Sequence, residues 1–248
     1  MCIRDRAYDE VDARGELQVV LVDLDVGSTD VLIDWPASTF GARGQIGVDD
    51  AGRIVVGSDG FADATGSVLR RVEQVGSTWQ AEDITPSTGI LGFAPLAVAT
   101  DGTVYTVAPD FGTYDAEIWA LDPFTDAWAW FADFDQRCCV REFRTMTVDA
   151  DGDLFAALGS PRQAGDYIAP VAAGDAVTWG DRIAETTSWG CRALLGGTAD
   201  ELFCVHDERD PDNPSTISRT AIYQLVPASD AGGGGGGGGK GGGKGKNK

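Results

Sequence analysis

Arginines and cysteines are the residues of this chain whose placing most invites chemistry. Arg144 and Arg192 lie 48 residues apart, each just ahead of an alternating apolar run. Arg137 and Arg141 precede the first, Arg43 sits one residue off the equivalent position further up the chain, and Arg162 falls in a long connection. A guanidinium presents a planar fork of donors that matches carboxylates, sulfates and phosphates. Converging arginines therefore predict a site for a small anionic group. Arg144 and Arg192 would make direct contacts, Arg141 or Arg43 would support them, and Asp166 and Trp189 would stand on the rim. The plainer reading is that these arginines offset Asp133, Asp135, Glu142 and Asp166 nearby, and residue types alone favour it.

With Cys2 set aside, Cys138, Cys139, Cys191 and Cys204 remain, an even number with three connectivities. Disulfides would fit an exported protein, and four reduced buried thiols are the alternative. If Ala199-Asp200 forms a two-residue turn, Leu195 stands opposite Cys204. Cys191 then lies four residues further on, roughly 13 Å at strand rise, beyond the about 7 Å between bridged Cα atoms. The expected bridge therefore runs from Cys138 or Cys139 to Cys191, and Cys191–Cys204 is not expected.

Other chemistry is weakly signalled. Asp149-Ala-Asp-Gly-Asp153 clusters carboxylates as calcium requires. It lacks the spacing and the distal glutamate of an EF-hand, so turn chemistry is the stronger expectation and calcium the lesser one. His206 is the single histidine, and no serine or cysteine can be assigned as its partner. No phosphate-cradling glycine loop or zinc-ligand spacing appears, so no catalytic residue is expected.

Charge narrows the partners. Thirty-nine acids against 19 bases give a net charge of −20, and all four lysines (Lys240, Lys244, Lys246, Lys248) lie in a terminal glycine-lysine stretch. Residues 1–239 thus hold fifteen arginines against those 39 acids, −24 overall. Such a body repels phosphate backbones, which excludes nucleic acid as an expected partner. No apolar run is long enough for a membrane-spanning helix, and a monomer is expected. Met1–Arg6 reads as the translated end of a transposon used in sequencing-library preparation and is expected to be a non-native leader. Residues 231–248 carry almost nothing to bury and are expected to be a disordered tail.

These residues must be held by a repeat. Gln45–Val56, Pro95–Thr106, Thr145–Ala156 and Ala193–Cys204 align, with Val48, Val98, Val148 and Gly196 as anchors. Each alternates apolar and polar residues about a two-residue turn, Ala51-Gly52, Asp101-Gly102, Asp151-Gly152 and a degenerate Ala199-Asp200. Trp79, Trp128 and Trp179 recur independently, each opening a short run, and third strands are expected near Ser67–Val72, Glu117–Asp122, Tyr167–Val171 and Thr220–Val226. Four short strands per unit of about fifty residues, without helical periodicity, describe a propeller blade. A sandwich gives no reason for the repetition, and solenoid units are shorter.

The pattern V-x-x-D-G-x followed by two apolar residues resembles the broad group of NHL-type and SMP-30-like propellers over roughly residues 16–227. The resemblance implies an all-β β-propeller fragment with four four-stranded blades, near 45–83, 95–132, 145–182 and 191–227, within a domain of about 7–230. A partial N-terminal blade is expected from Leu17–Leu24 and Val31–Trp35, as is a last blade of three strands. SMP-30-like lactonases hold a metal with a glutamate, an asparagine and an aspartate, but the asparagines here are Asn213 and Asn247, so that site does not carry over. No cofactor is expected. Long connections between second and third strands and between blades share one face, where binding groups usually reside. The expected function is a non-catalytic ligand- or protein-binding module of an exported or cell-surface protein, taking a small anionic ligand, glycan or protein through the long-loop face and channel mouth. The alternative is a lactonase-like propeller hydrolase or lyase whose catalytic blades are missing or divergent.

Overall fold

The computed structural model describes residues 2–5, 16–22, 29–36, 44–58, 68–90, 96–110, 115–134, 143–159, 165–177, 181–186, 190–197, 201–209, 213 and 216–225. Every regular element of more than one turn among them is a strand. The first sheet is three-stranded, with β1 (Cys2–Asp5), β2 (Glu16–Val22) and β3 (Thr29–Pro36) paired antiparallel in that order. The six leading residues thus contribute a strand that pairs Cys2 with Val22, inside a sheet expected to begin near Leu17.

Four repeats follow. Blade 1 is the meander β4 (Gly44–Val48), β5 (Ile54–Ser58), β6 (Val68–Val75) and β7 (Thr78–Asp83). Blade 2 has β8 (Leu96–Val98), β9 (Val104–Asp110), β10 (Asp115–Leu121) and β11 (Trp128–Phe134). In blade 3, β12 (Phe143–Val148), β13 (Leu154–Gly159) and β14 (Asp166–Val171) are followed by β15 (Ala176–Val177) and β16 (Ala184–Glu185). Blade 4 has the three expected strands, β17 (Ala193–Gly196), β18 (Leu202–Arg209) and β19 (Ile217–Leu225). Together they make a four-blade propeller arrangement, as the repeat implies.

Blade 3 departs from the expected pattern at its outer edge. β15, just before Trp179, does not form that blade's fourth strand but runs parallel to β11 of blade 2. Only the two residues of β16 pair with β14. Asp166 and Ile168 turn their backbone groups toward this outer neighbour, accepting from Thr186 and Ile183. Strand alternation gives Pro170 the same direction, and it has no N–H to offer, so the ladder stops there.

The inner hairpins correct a detail of the sequence reading. Val48 faces Ile54, Val98 faces Val104, Val148 faces Leu154 and Gly196 faces Leu202. One residue further on, Asp49, Ala99, Asp149 and Gly197 donate their N–H to the carbonyls of Arg53, Thr103, Asp153 and Glu201. The loops therefore hold three residues, not two. In the first three hairpins the loop is a turn closed by a left-handed glycine, Gly52, Gly102 and Gly152 with φ of 77°, 94° and 91°, each donating its N–H to the carbonyl three residues back.

Neighbouring blades pack through apolar faces. Val55 and Leu69 of blade 1 meet Leu96, Val104 and Leu121 of blade 2. Val107 and Ile118 of blade 2 join Met146, Leu158 and Tyr167 of blade 3. Phe155, Ala157 and Ile168 of blade 3 close on Leu194, Leu202 and Cys204 of blade 4. The innermost strands lie side by side and are stitched by side chains. Gln45 Oε1 accepts Leu96 N–H at 2.8 Å, and Thr147 Oγ1 accepts Gly196 N–H at 3.1 Å. The approach is close enough that a Cβ on Gly196 would fall 2.6 Å from the Val148 carbonyl oxygen, which explains a glycine where the other repeats carry valine.

Candidate functional site

The residues at the start of the innermost strands are those expected at the channel mouth. Arg144 is the second residue of β12, at the irregularity in its pairing with β13. Arg192 immediately precedes β17, its N–H bound to the Val205 carbonyl at 2.8 Å. The two expected anion contacts thus hold equivalent places in neighbouring blades. Arg192 Nη1 reaches both oxygens of Asp207, at 2.8 and 3.1 Å, and Thr220 donates to Asp207 Oδ1 at 2.7 Å. Its partner is thus an acid of its own blade. Arg43, Arg141, Trp189 and most of the long connections lie outside the described residues.

Asp166, expected on the rim, is buried at the start of β14, with 1% of its surface exposed. Its Oδ2 accepts the Cys191 N–H at 2.5 Å, while its backbone exchanges hydrogen bonds with Thr186. The carboxylate therefore ties blade 3 to the segment leading into blade 4. His206 sits above the same segment, Nδ1 3.1 Å from the Gly190 carbonyl, which makes it part of the frame.

The expected disulfide is corrected. Cys191 is bonded to Cys204, with Cα atoms 5.4 Å apart. Two features defeat the distance argument. The three-residue loop moves Leu194, rather than Leu195, opposite Cys204. The strand also begins only at Ala193, so the chain ahead of it is free to fold across the sheet and bring Cys191 over Cys204. Cys138 and Cys139, the alternative partners, lie outside the described residues.

Turn chemistry accounts for the acidic motif at 149–153. Asp149 Oδ1 accepts the N–H groups of Asp151 at 3.0 Å and Asp153 at 2.9 Å. Asp49 does the same for Arg53 N–H and also holds the Arg53 guanidinium at 2.6 Å. Among the described residues, no three His, Cys, Asp or Glu side chains gather where they could hold a metal.

Two ionic clusters were not visible in the sequence. Arg71 of β6 bonds Glu82 at 2.7 Å and Asp126 of blade 2 at 2.6 Å, clasping the two blades. The Asp126 hydrogen bond is the main cause that raises the Arg71 pKa, and the same contact lowers that of Asp126. On blade 4, Glu208 accepts from Arg219 and from Tyr223 at 2.6 Å. Those donors, Arg219 first, hold its carboxyl down to about 2. Both clusters need partners 11 to 55 residues apart to meet, so only the register could reveal them.

No protein-family model matches the chain, and no curated protein matches it. Among solved structures, regucalcin from Agrobacterium tumefaciens, described as a calcium-binding protein, is similar with a TM-score of 0.51 at 15% identity, over 86% of this chain and 72% of that one. A luciferin-regenerating enzyme gives 0.49 at 14% identity over 85% and 71% of the two chains. A gluconolactonase from Xanthomonas campestris gives 0.48 at 14% identity over 88% and 70%. At such identities the likeness to regucalcin speaks for the fold alone. The fold fits the broad NHL-type and SMP-30-like group of β-propellers.

Proposed function

We propose that this chain is a non-catalytic binding propeller of an exported or cell-surface protein, taking a small anionic ligand, glycan or protein segment at the channel mouth and long-loop face. The composition of the innermost strands carries the reading. Gly44–Val48, Leu96–Val98, Phe143–Val148 and Ala193–Gly196 contain no Asp, Glu, His, Cys or Asn. Strands that would have to present a metal ligand or a general base instead offer Gln45, two threonines and Arg144, and Gln45, Thr145 and Thr147 already bind the next blade. The Cys191–Cys204 bridge supports an oxidising compartment.

The test is calorimetric titration of sugar acids and sulfated oligosaccharides into wild type and Arg144→Ala/Arg192→Ala, beside a lactone hydrolysis assay with added calcium or zinc. Binding that weakens about tenfold or more in the double variant is expected, the loss of charge-assisted contacts. Absence of binding, or equal binding by the variant, overturns the anion site. Metal-dependent lactone turnover overturns the non-catalytic reading in favour of a lactonase-like hydrolase.

A further inference from the structure

Away from the channel, the outer half of blade 2 carries a second group of residues. Trp119 of β10 stands directly across from Trp130 of β11, and Glu117 stands across from Asp133. Between the two pairs the ladder slips by one residue. Trp130 and Asp133, three apart in sequence, consequently share a face with Glu117 and Trp119. The Trp119 Nε1–H donates to Glu117 Oε2 at 3.0 Å, which fixes the indole on that face. Trp130 is 45% exposed, although Trp128, two residues earlier, is pinned to the Ile84 carbonyl at 2.7 Å.

Two features are costly unless something completes them. Like charges directly opposite one another destabilise a strand pair, and Glu117 faces Asp133 in that way. Asp133 Oδ1 is also shielded from solvent and has no hydrogen-bond partner among the described residues. A buried carboxylate oxygen in that state lacks a donor. A ligand with a cationic donor would offset that cross-strand repulsion, and an apolar ring face would cover the exposed indole.

We propose that this face of blade 2 binds an amino sugar, its ammonium between Glu117 and Asp133 and a pyranose face on Trp130, with Trp119 beside it. The site is independent of the channel mouth, and its charge preference is opposite.

The probe is the β-1,4-linked trisaccharide of glucosamine, titrated calorimetrically, with its fully N-acetylated form as the uncharged comparator. The glucosamine trisaccharide binds with a dissociation constant of about 1 mM or tighter, and the acetylated form binds at least about tenfold more weakly. Trp130→Ala and Glu117→Gln/Asp133→Asn each weaken binding about tenfold or more, while Arg144→Ala/Arg192→Ala leaves it unchanged. Trp130 is exposed enough for its alanine variant to fold, so it decides the matter even if the carboxylate variant does not. No binding up to about 10 mM overturns the proposal. So does equal affinity for the acetylated trisaccharide. Undiminished binding by Trp130→Ala overturns it as well, since that result marks diffuse attraction to a chain of net charge −20.

Discussion

Glu208 shows how a surface carboxylate acquires a pH signature from two neighbours. Arg219 and Tyr223 donate to it, and its carboxyl falls from an ordinary 4.5 to about 2. A depressed acid stabilises the fold above its unfolded value and loses that contribution as pH falls through the folded one. The stability difference between wild type and Glu208→Gln should therefore hold steady above about pH 5, shrink below it and vanish near pH 2, as urea midpoints will show. Tyr223 moves the other way, because donating to a carboxylate favours its protonated form. Asp166 presents a deeper case. Removing its carboxylate in Asp166→Ala leaves the buried Cys191 N–H without an acceptor and should cost about 2 kcal/mol in chemical denaturation. Neither role was legible in the sequence. Asp166 read as a rim residue because it opens a strand beside a long connection, and nothing local marks the amide it accepts from.

Among elements, the hairpins were nearly legible and the one residue misjudged had consequences. A glycine-bearing turn between alternating runs, Ala51-Gly52, Asp101-Gly102 and Asp151-Gly152, correctly located the turns and all six inner strands of the first three blades. It did not distinguish a two-residue loop from a three-residue loop closed by a left-handed glycine, and these differ by one place in register. That single place, with the bend ahead of Ala193, turned Cys191–Cys204 from an excluded pairing into the observed one. The bridge closes a loop of separation 13. Replacing both cysteines with alanine should lower unfolding free energy by about 3 kcal/mol, measured against the oxidised protein in urea. The Arg71 clasp is far weaker. Glu82 and Asp126 are more than half exposed, so Arg71→Ala should cost less than about 1 kcal/mol, and less again in high salt. The short outer edge of blade 3 was hidden for another reason. Trp179 repeats the spacing of Trp79 and Trp128, but Pro170 interrupts the strand on which a fourth strand would have to pair.

At the scale of the molecule, the repeat carries most of what the sequence could say, since each blade buries its faces against its sequence neighbours. The candidate site was legible only as positions. Arg192 precedes the inner strand β17 and Arg144 is the second residue of the neighbouring β12, but the pairing of Arg192 with Asp207 depends on β18 lying beside its own inner strand. Packing direction has a measurable correlate in two matched isoleucines. Ile168 lies opposite Ala157 under blade 4 and is fully buried, while Ile222 lies opposite Val205 and is 65% exposed. Ile168→Ala should cost about 3 kcal/mol and Ile222→Ala less than about 0.5 kcal/mol. The blade order itself is tested most directly by methyl–methyl nuclear Overhauser contacts in a specifically labelled sample. A propeller predicts contacts from Val55 and Leu69 to Leu96 and Leu121, from Val107 and Ile118 to Met146 and Leu158, and from Ile168 to Leu194 and Leu202. Contacts from Val55 or Leu69 directly to Ile168 or Leu194 would mean that sheets one blade apart face each other as in a sandwich, and would contradict the arrangement.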